Sequence, residues 1–128
     1  MSLVSPLGRV LGLGSAKEGS RHWYAQRVSA IALAILGIWF VVALAGLDGV
    51  DLESVRAWLS APLTTTLLLL TIGMLAWHTI LGLQVVIEDY VGSRGLRLAL
   101  LLAMKFAFVL AAVTAAIAVL RVALGMPA

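Results

Sequence analysis

The stretch LTTTLLLLTIGMLAWHTILGLQVVI, residues 63–87, carries no acidic or basic side chain except one histidine, His78. At about 1.5 Å per residue a helix of that length covers roughly 37 Å, more than the ~30 Å of a bilayer's hydrocarbon core. Pro62 precedes it and the acidic pair Glu88-Asp89 ends it. Two further segments have the same character: Val28 to Leu47, bounded by Arg27 and Asp48, and Leu98 to Leu120, bounded by Arg97 and Arg121. The pattern predicts an all-α membrane protein with three transmembrane helices and no second domain.

Composition agrees. Of the 128 residues, 62% are hydrophobic and 12% charged, whereas soluble domains carry about 25% charged and 45–50% apolar residues. A soluble fold of this size has nowhere to bury that much apolar surface, so a lipid bilayer is the expected solvent. With no cysteine, the chain has no disulfide, iron–sulfur ligand or thiol nucleophile of its own. The net charge of +3 is spread through short connecting segments, without the basic run and interleaved aromatics that would suggest nucleic acid.

The basic residues instead report orientation, because short cytoplasmic loops collect Lys and Arg. Six of the nine fall on one side: Arg9, Lys17, Arg21 and Arg27 before the first span, Arg94 and Arg97 between the second and third. Arg56 and Arg121 lie on the other side, with Asp48, Asp51 and Glu53 around Arg56. Residues 1–27 are therefore expected in the cytoplasm and the tail 121–128 in the periplasm. Lys105, inside the third span, can snorkel to the cytoplasmic interface. The first span is expected to remain uncleaved despite Ala43-Leu44-Ala45, because 27 residues precede an apolar run longer than a usual signal core. Ala103, Ala107, Ala111 and Ala115 on the third span, and Ala30, Ala34 and Gly37 on the first, are candidate helix–helix contact stripes.

His78 is the main candidate for chemistry. It stands nine residues before Ile87, about 14 Å below the interface and so near the midplane, where an ionisable ring is costly and usually functional. It can be an axial ligand to haem iron or a helix–helix hydrogen bond. Gly82, one turn on and nearly on the same face, leaves room for a flat macrocycle. Asp89 follows by eleven residues, almost three full turns, which returns it to the His78 face if the helix continues. Tyr90 next to it reads either as an aromatic-belt residue or as a hydroxyl donor to a quinone carbonyl. Arg27 opens the first span and can reach a carboxylate such as a haem propionate.

The run His78-Thr79-Ile80-Leu81-Gly82-Leu83-Gln84-Val85-Val86-Ile87-Glu88-Asp89-Tyr90-Val91 resembles the signature of the hydrophobic membrane anchor subunits of bacterial succinate dehydrogenases. His22-Trp23-Tyr24-Ala25-Gln26-Arg27-Val28-Ser29-Ala30 is similar to that family's approach to its first helix, and the likeness runs from about Gly19 to Leu120. It implies a respiratory complex II in the bacterial inner membrane, serving the tricarboxylic acid cycle and electron transport. A flavoprotein subunit oxidises succinate, an iron–sulfur subunit relays electrons, and a second transmembrane anchor, the larger cytochrome b subunit, completes a haem-binding helix bundle. By the same resemblance His78 is one of two axial ligands of a shared haem b. Tyr90, with Asp89 beside it, belongs to the site of a quinone, expected to be ubiquinone, and Arg27 lies near the haem edge. This chain itself is then a non-catalytic anchor without a succinate site. The competing readings are a fumarate reductase anchor, a haem-free structural anchor, and a small dimeric exporter. The exporter would need an acidic residue inside a span, and none of the three has one.

Overall fold

The computed structural model describes residues 16–126, with side chains from Ser20 onward. Arg9, the Lys17 side chain and residues 127–128, all used in the topology argument or its tail, lie outside the described residues. Four helices follow in order: α1 Ala16–Ala45, α2 Leu52–Ser60, α3 Pro62–Tyr90 and α4 Arg94–Ala123. Three of them, α1 over Ser20–Ala45, α3 and α4, are long and apolar enough to cross a membrane.

The helices run past the expected spans because the apolar run measures only what lipid covers, while backbone hydrogen bonding continues into the wet ends. Thus α1 is already helical at Ala16, and α3 extends three residues beyond Ile87 to Tyr90. Pro62 stands in the first turn of α3, where its missing N–H costs nothing. Inside the spans, hydroxyls give their protons back to the preceding turn: Thr66 to the Pro62 carbonyl at 2.8 Å, Thr71 to Leu67 at 2.7 Å, Thr79 to Leu75 at 2.8 Å, Thr114 to Leu110 at 2.9 Å. That local bond makes threonine tolerable where no water can serve it.

The short helix α2 was not expected from the sequence. Asp51 caps it, accepting at Oδ1 from the Glu53 and Ser54 amides at 3.0 Å each, and at Oδ2 from the Ser54 hydroxyl at 2.7 Å. These bonds favour the charged form, the Ser54 amide foremost, and hold the Asp51 carboxyl below its ordinary 3.8. Trp58 of α2 stacks on Trp39 of α1, with ring centroids 6.5 Å apart and planes at 19°, and Phe40 leans on it at 6.2 Å. The Ser60 hydroxyl bonds the Arg56 carbonyl at 2.8 Å and reaches Val122 O, near the end of α4, at 3.5 Å. The end of α1, α2, the start of α3 and the end of α4 therefore share one end of the molecule. At the other end the Arg97 Nε–H donates to the Val91 carbonyl at 2.9 Å and closes the turn from α3 into α4.

In the middle of the layer stands α3, packed on α1 along one side and on α4 along the other, while α1 and α4 do not meet. A single layer encloses nothing: no apolar side chain is buried among the described residues, and the only buried polar ones are Ser29 and Thr64. The apolar faces look outward, towards lipid or further helices. The alanine stripes match the contacts only in part. Ala111 and Ala115 line the groove between α3 and α4 beside Ala112, and Gly37 is half-buried, but Ala103, Ala107, Ala30 and Ala34 are exposed. The contact face of α4 is turned slightly from that stripe, with Leu101, Met104, Phe108, Ala112 and Ala115 among its half-buried positions.

Candidate functional site: a histidine clamped between two helices

His78 lies two residues past the midpoint of α3, whose 29 residues run from 62 to 90. Its ring faces α1, where Ser29 is 97% covered, with 3% of its surface exposed. Ser29 Oγ stands 3.0 Å from His78 Nδ1, and Gln26 Nε2 stands 3.3 Å from His78 Nε2. Gln26 and Ser29 are three residues apart, and His22 is four before Gln26, so the three share one face of α1.

The donors and acceptors fix the imidazole. Ser29 has a single hydroxyl proton; given to the Gln26 carbonyl at 3.0 Å, it leaves the oxygen to accept from the ring, an arrangement that suits an Nδ1–H imidazole. The Gln26 amide nitrogen donates, and so suits an Nε2 that keeps its lone pair. One tautomer satisfies both neighbours. In that tautomer Nε2 is the atom a metal would take.

Two buried polar atoms nearby, Gln26 Oε1 and His22 Nε2, have no hydrogen-bond partner. Buried polar atoms are nearly always satisfied, so this corner of the α1–α3 seam is chemically incomplete. Gly82 borders it, since a Cβ built there would stand 3.5 Å from Gln26 Nε2. The space expected in front of Gly82 is thus bordered by the Gln26 amide, whose nitrogen also contacts His78 Nε2. Among the described residues no three His, Cys, Asp or Glu side chains gather as an all-protein metal site requires. A mid-span imidazole, a glycine beside it and unsatisfied polar atoms fit a metal that brings its other ligands with it, as a haem does, once the Gln26 amide moves aside.

The remaining candidates are spread apart. Asp89 and Tyr90 close α3, twelve residues beyond His78 for the tyrosine, which is about 18 Å along the axis. Because the helix does continue to Tyr90, Asp89 returns to the His78 face of α3. Both are exposed, Tyr90 at 86%. Arg27 lies exposed on α1, with its guanidinium carbon 5.1 Å from the centre of the Trp23 ring one turn back, a cation–π stack at the headgroup level. Sequence reasoning missed Gln26 and Ser29. Their signal was a polar stripe, His22, Gln26, Ser29, at helical spacing and running into an apolar span.

Comparison with known proteins agrees with this layout. Residues 1–118 match the family model described as succinate dehydrogenase/fumarate reductase transmembrane subunit. The chain is 36% identical over 106 residues to a succinate dehydrogenase hydrophobic membrane anchor subunit of Rickettsia bellii, covering 83% of this chain and 85% of that one. It is 32% identical over 127 residues to a protein of the same name from Paracoccus denitrificans, covering 98% and 96%. A Rickettsia conorii protein, also so named, is 39% identical over 85 residues, 66% of this chain and 68% of its own. Three membrane-length helices, a clamped mid-span histidine and these relatives lead to one conclusion: the chain is a multi-pass bacterial inner-membrane protein and belongs to the succinate dehydrogenase/fumarate reductase transmembrane subunit family.

Proposed function

We propose that this chain anchors a succinate dehydrogenase complex in the membrane and holds one face of a shared b-type haem through His78 Nε2. The observation that carries the reading is the mid-span imidazole whose Nδ1 meets the Ser29 hydroxyl at 3.0 Å, which leaves Nε2 as the nitrogen to ligate once the Gln26 amide moves aside. A haem bound there supplies reversible one-electron storage inside the membrane. His78 would hold the iron of such a haem through Nε2, and the second anchor subunit would complete its ligation. Arg27, one residue from Gln26 on α1, offers a cation to a propionate after leaving the Trp23 ring.

Quinone reduction is assigned to the C-terminal end of α3. Tyr90 presents a phenol hydroxyl as donor to a ubiquinone carbonyl, and Asp89 beside it exchanges protons with cytoplasmic water. The orientation follows from the basic residues, six of nine on the side of the N-terminus and the α3–α4 turn. The iron–sulfur subunit, with the flavoprotein subunit bearing the succinate site, docks on that cytoplasmic side. The outward apolar faces of the α1–α3–α4 layer receive the second anchor and lipid.

The test is a reduced-minus-oxidised spectrum of the whole complex purified from membranes. The wild-type complex is expected to show the bands of a b-type haem, and an assembled His78→Ala complex to lose or strongly diminish them. An unchanged spectrum in assembled His78→Ala would make His78 a packing residue and end the reading.

A further inference from the structure

We infer that Ser29 is a positioning residue for His78: from α1 it locks the imidazole of α3 in the Nδ1–H tautomer and at one ring angle, so that Nε2 is presented to iron. The inference rests on the reading of His78 as haem ligand. The ring torsion of histidine is broad and roughly two-fold, so an imidazole without an Nδ1 partner can turn over and offer either nitrogen. Here the partner comes from another helix, 49 residues away in sequence, at 3.0 Å. Ser29 is itself fixed, because its proton goes to the Gln26 carbonyl and its side chain is almost wholly covered.

Two consequences follow for a bound iron. An Nδ1–H that donates to an oxygen makes the opposite nitrogen a stronger electron donor, which favours the ferric state and lowers the reduction potential. It also preorganises the ligand, so that binding need not freeze the ring. Gln26 plays the complementary part. Its amide covers Nε2 at 3.3 Å, a hydrogen bond that protects the lone pair and gives way to iron.

The experiment compares complexes carrying Ser29→Ala, Ser29→Thr and Ser29→Cys with wild type and with His78→Ala. Three quantities are read in each: haem per assembled complex by pyridine haemochrome, the electron paramagnetic resonance g values of the ferric haem, and its midpoint potential. Ser29→Ala is expected to retain haem about 10- to 100-fold more weakly, with altered g values and a raised potential. Ser29→Thr, which keeps the hydroxyl, is expected to restore all three, and Ser29→Cys, a poor acceptor, to fall between. A Ser29→Ala complex with wild-type g values and potential would overturn the inference while His78→Ala still removes the haem, leaving the ligand reading intact. Equal shifts in the Ala and Thr variants would overturn it too, since bulk rather than the hydroxyl would then be responsible. If Ser29→Ala assembles no complex, Ser29→Cys decides by the same criteria.

Discussion

Gly82 faces the Gln26 amide across the seam between α3 and α1, with a distance of 3.5 Å from an ideal Cβ to Gln26 Nε2. The glycine therefore borders the same spot that Gln26 shares with His78 Nε2. An added methyl makes an ordinary contact there, whereas a longer side chain must displace the amide or the ring.

Gly82→Ala is accordingly expected to keep most of the haem in an assembled complex, and Gly82→Leu to lose it. Forcing extra methylenes into a packed seam typically costs about 1–3 kcal/mol in addition. Haem per complex, measured beside subunit stoichiometry, separates exclusion of the cofactor from failure to assemble. Wild-type haem content in Gly82→Leu would show that the strip is not used.

Tyr90→Phe keeps the ring at the end of α3 and deletes the hydroxyl. A hydrogen bond worth about 0.5–1.5 kcal/mol net corresponds to about 2- to 12-fold weaker quinone binding. Haem content is expected to stay normal, since His78 is about three turns away. So is succinate oxidation by a soluble dye that intercepts electrons before the quinone. Normal quinone affinity and turnover in the variant would leave Tyr90 as a belt residue.

The orientation can be read by single cysteines, because the native chain has none. Val50, 92% exposed between α1 and α2, and Ser93, whose side chain makes no cap bond at the start of α4, are suitable positions. An impermeant thiol reagent added from the periplasm is expected to label Val50→Cys and to spare Ser93→Cys. The reverse pattern would invert the topology and remove the docking side assigned to the iron–sulfur subunit.

The three spans were legible because lipid imposes a simple rule, about 20 apolar residues in a row, and residues 63–87 obey it without an interruption. His78 was legible for the same reason, as the one ionisable group in that run. What surrounds it was not. Gln26 and Ser29 stand among Arg21, Trp23, Tyr24 and Arg27, residues that a membrane surface explains well, and nothing local distinguishes a polar side chain turned to a neighbouring helix from one turned to headgroups. Helix α2 escaped because nine residues are too few for a periodicity to emerge, although Asp51 ahead of Glu53 and Ser54 is a usable start signal. The alanine stripes misled in part since alanine is common throughout these spans, and the true contact face of α4 carries Leu101, Met104 and Phe108 beside its alanines.

Helix α2 should respond to acid through its cap. The folded Asp51 carboxyl titrates below its ordinary 3.8, so the cap contributes its stabilisation above about pH 3.8 and loses it as pH falls through the lower folded value. Asp51→Asn, which still accepts at the N-cap, is expected to flatten that dependence, and Asp51→Ala to remove the cap at every pH. Amide exchange over Leu52–Ser60 in detergent-solubilised complex measures it. Protection in Asp51→Ala equal to wild type at neutral pH would show that the Trp39–Trp58 stack alone holds the helix.

A row of three helices, with α3 between α1 and α4 and no apolar side chain buried among the described residues, has a consequence for the cell. Nothing inside the row distinguishes its native arrangement from a loosened one until something covers its faces. A copy synthesised in excess of its complex then presents its uncovered apolar faces to the proteases that patrol the membrane. Stoichiometry can thus be enforced by turnover: the lifetime of the chain is set by whether it has found its assembly.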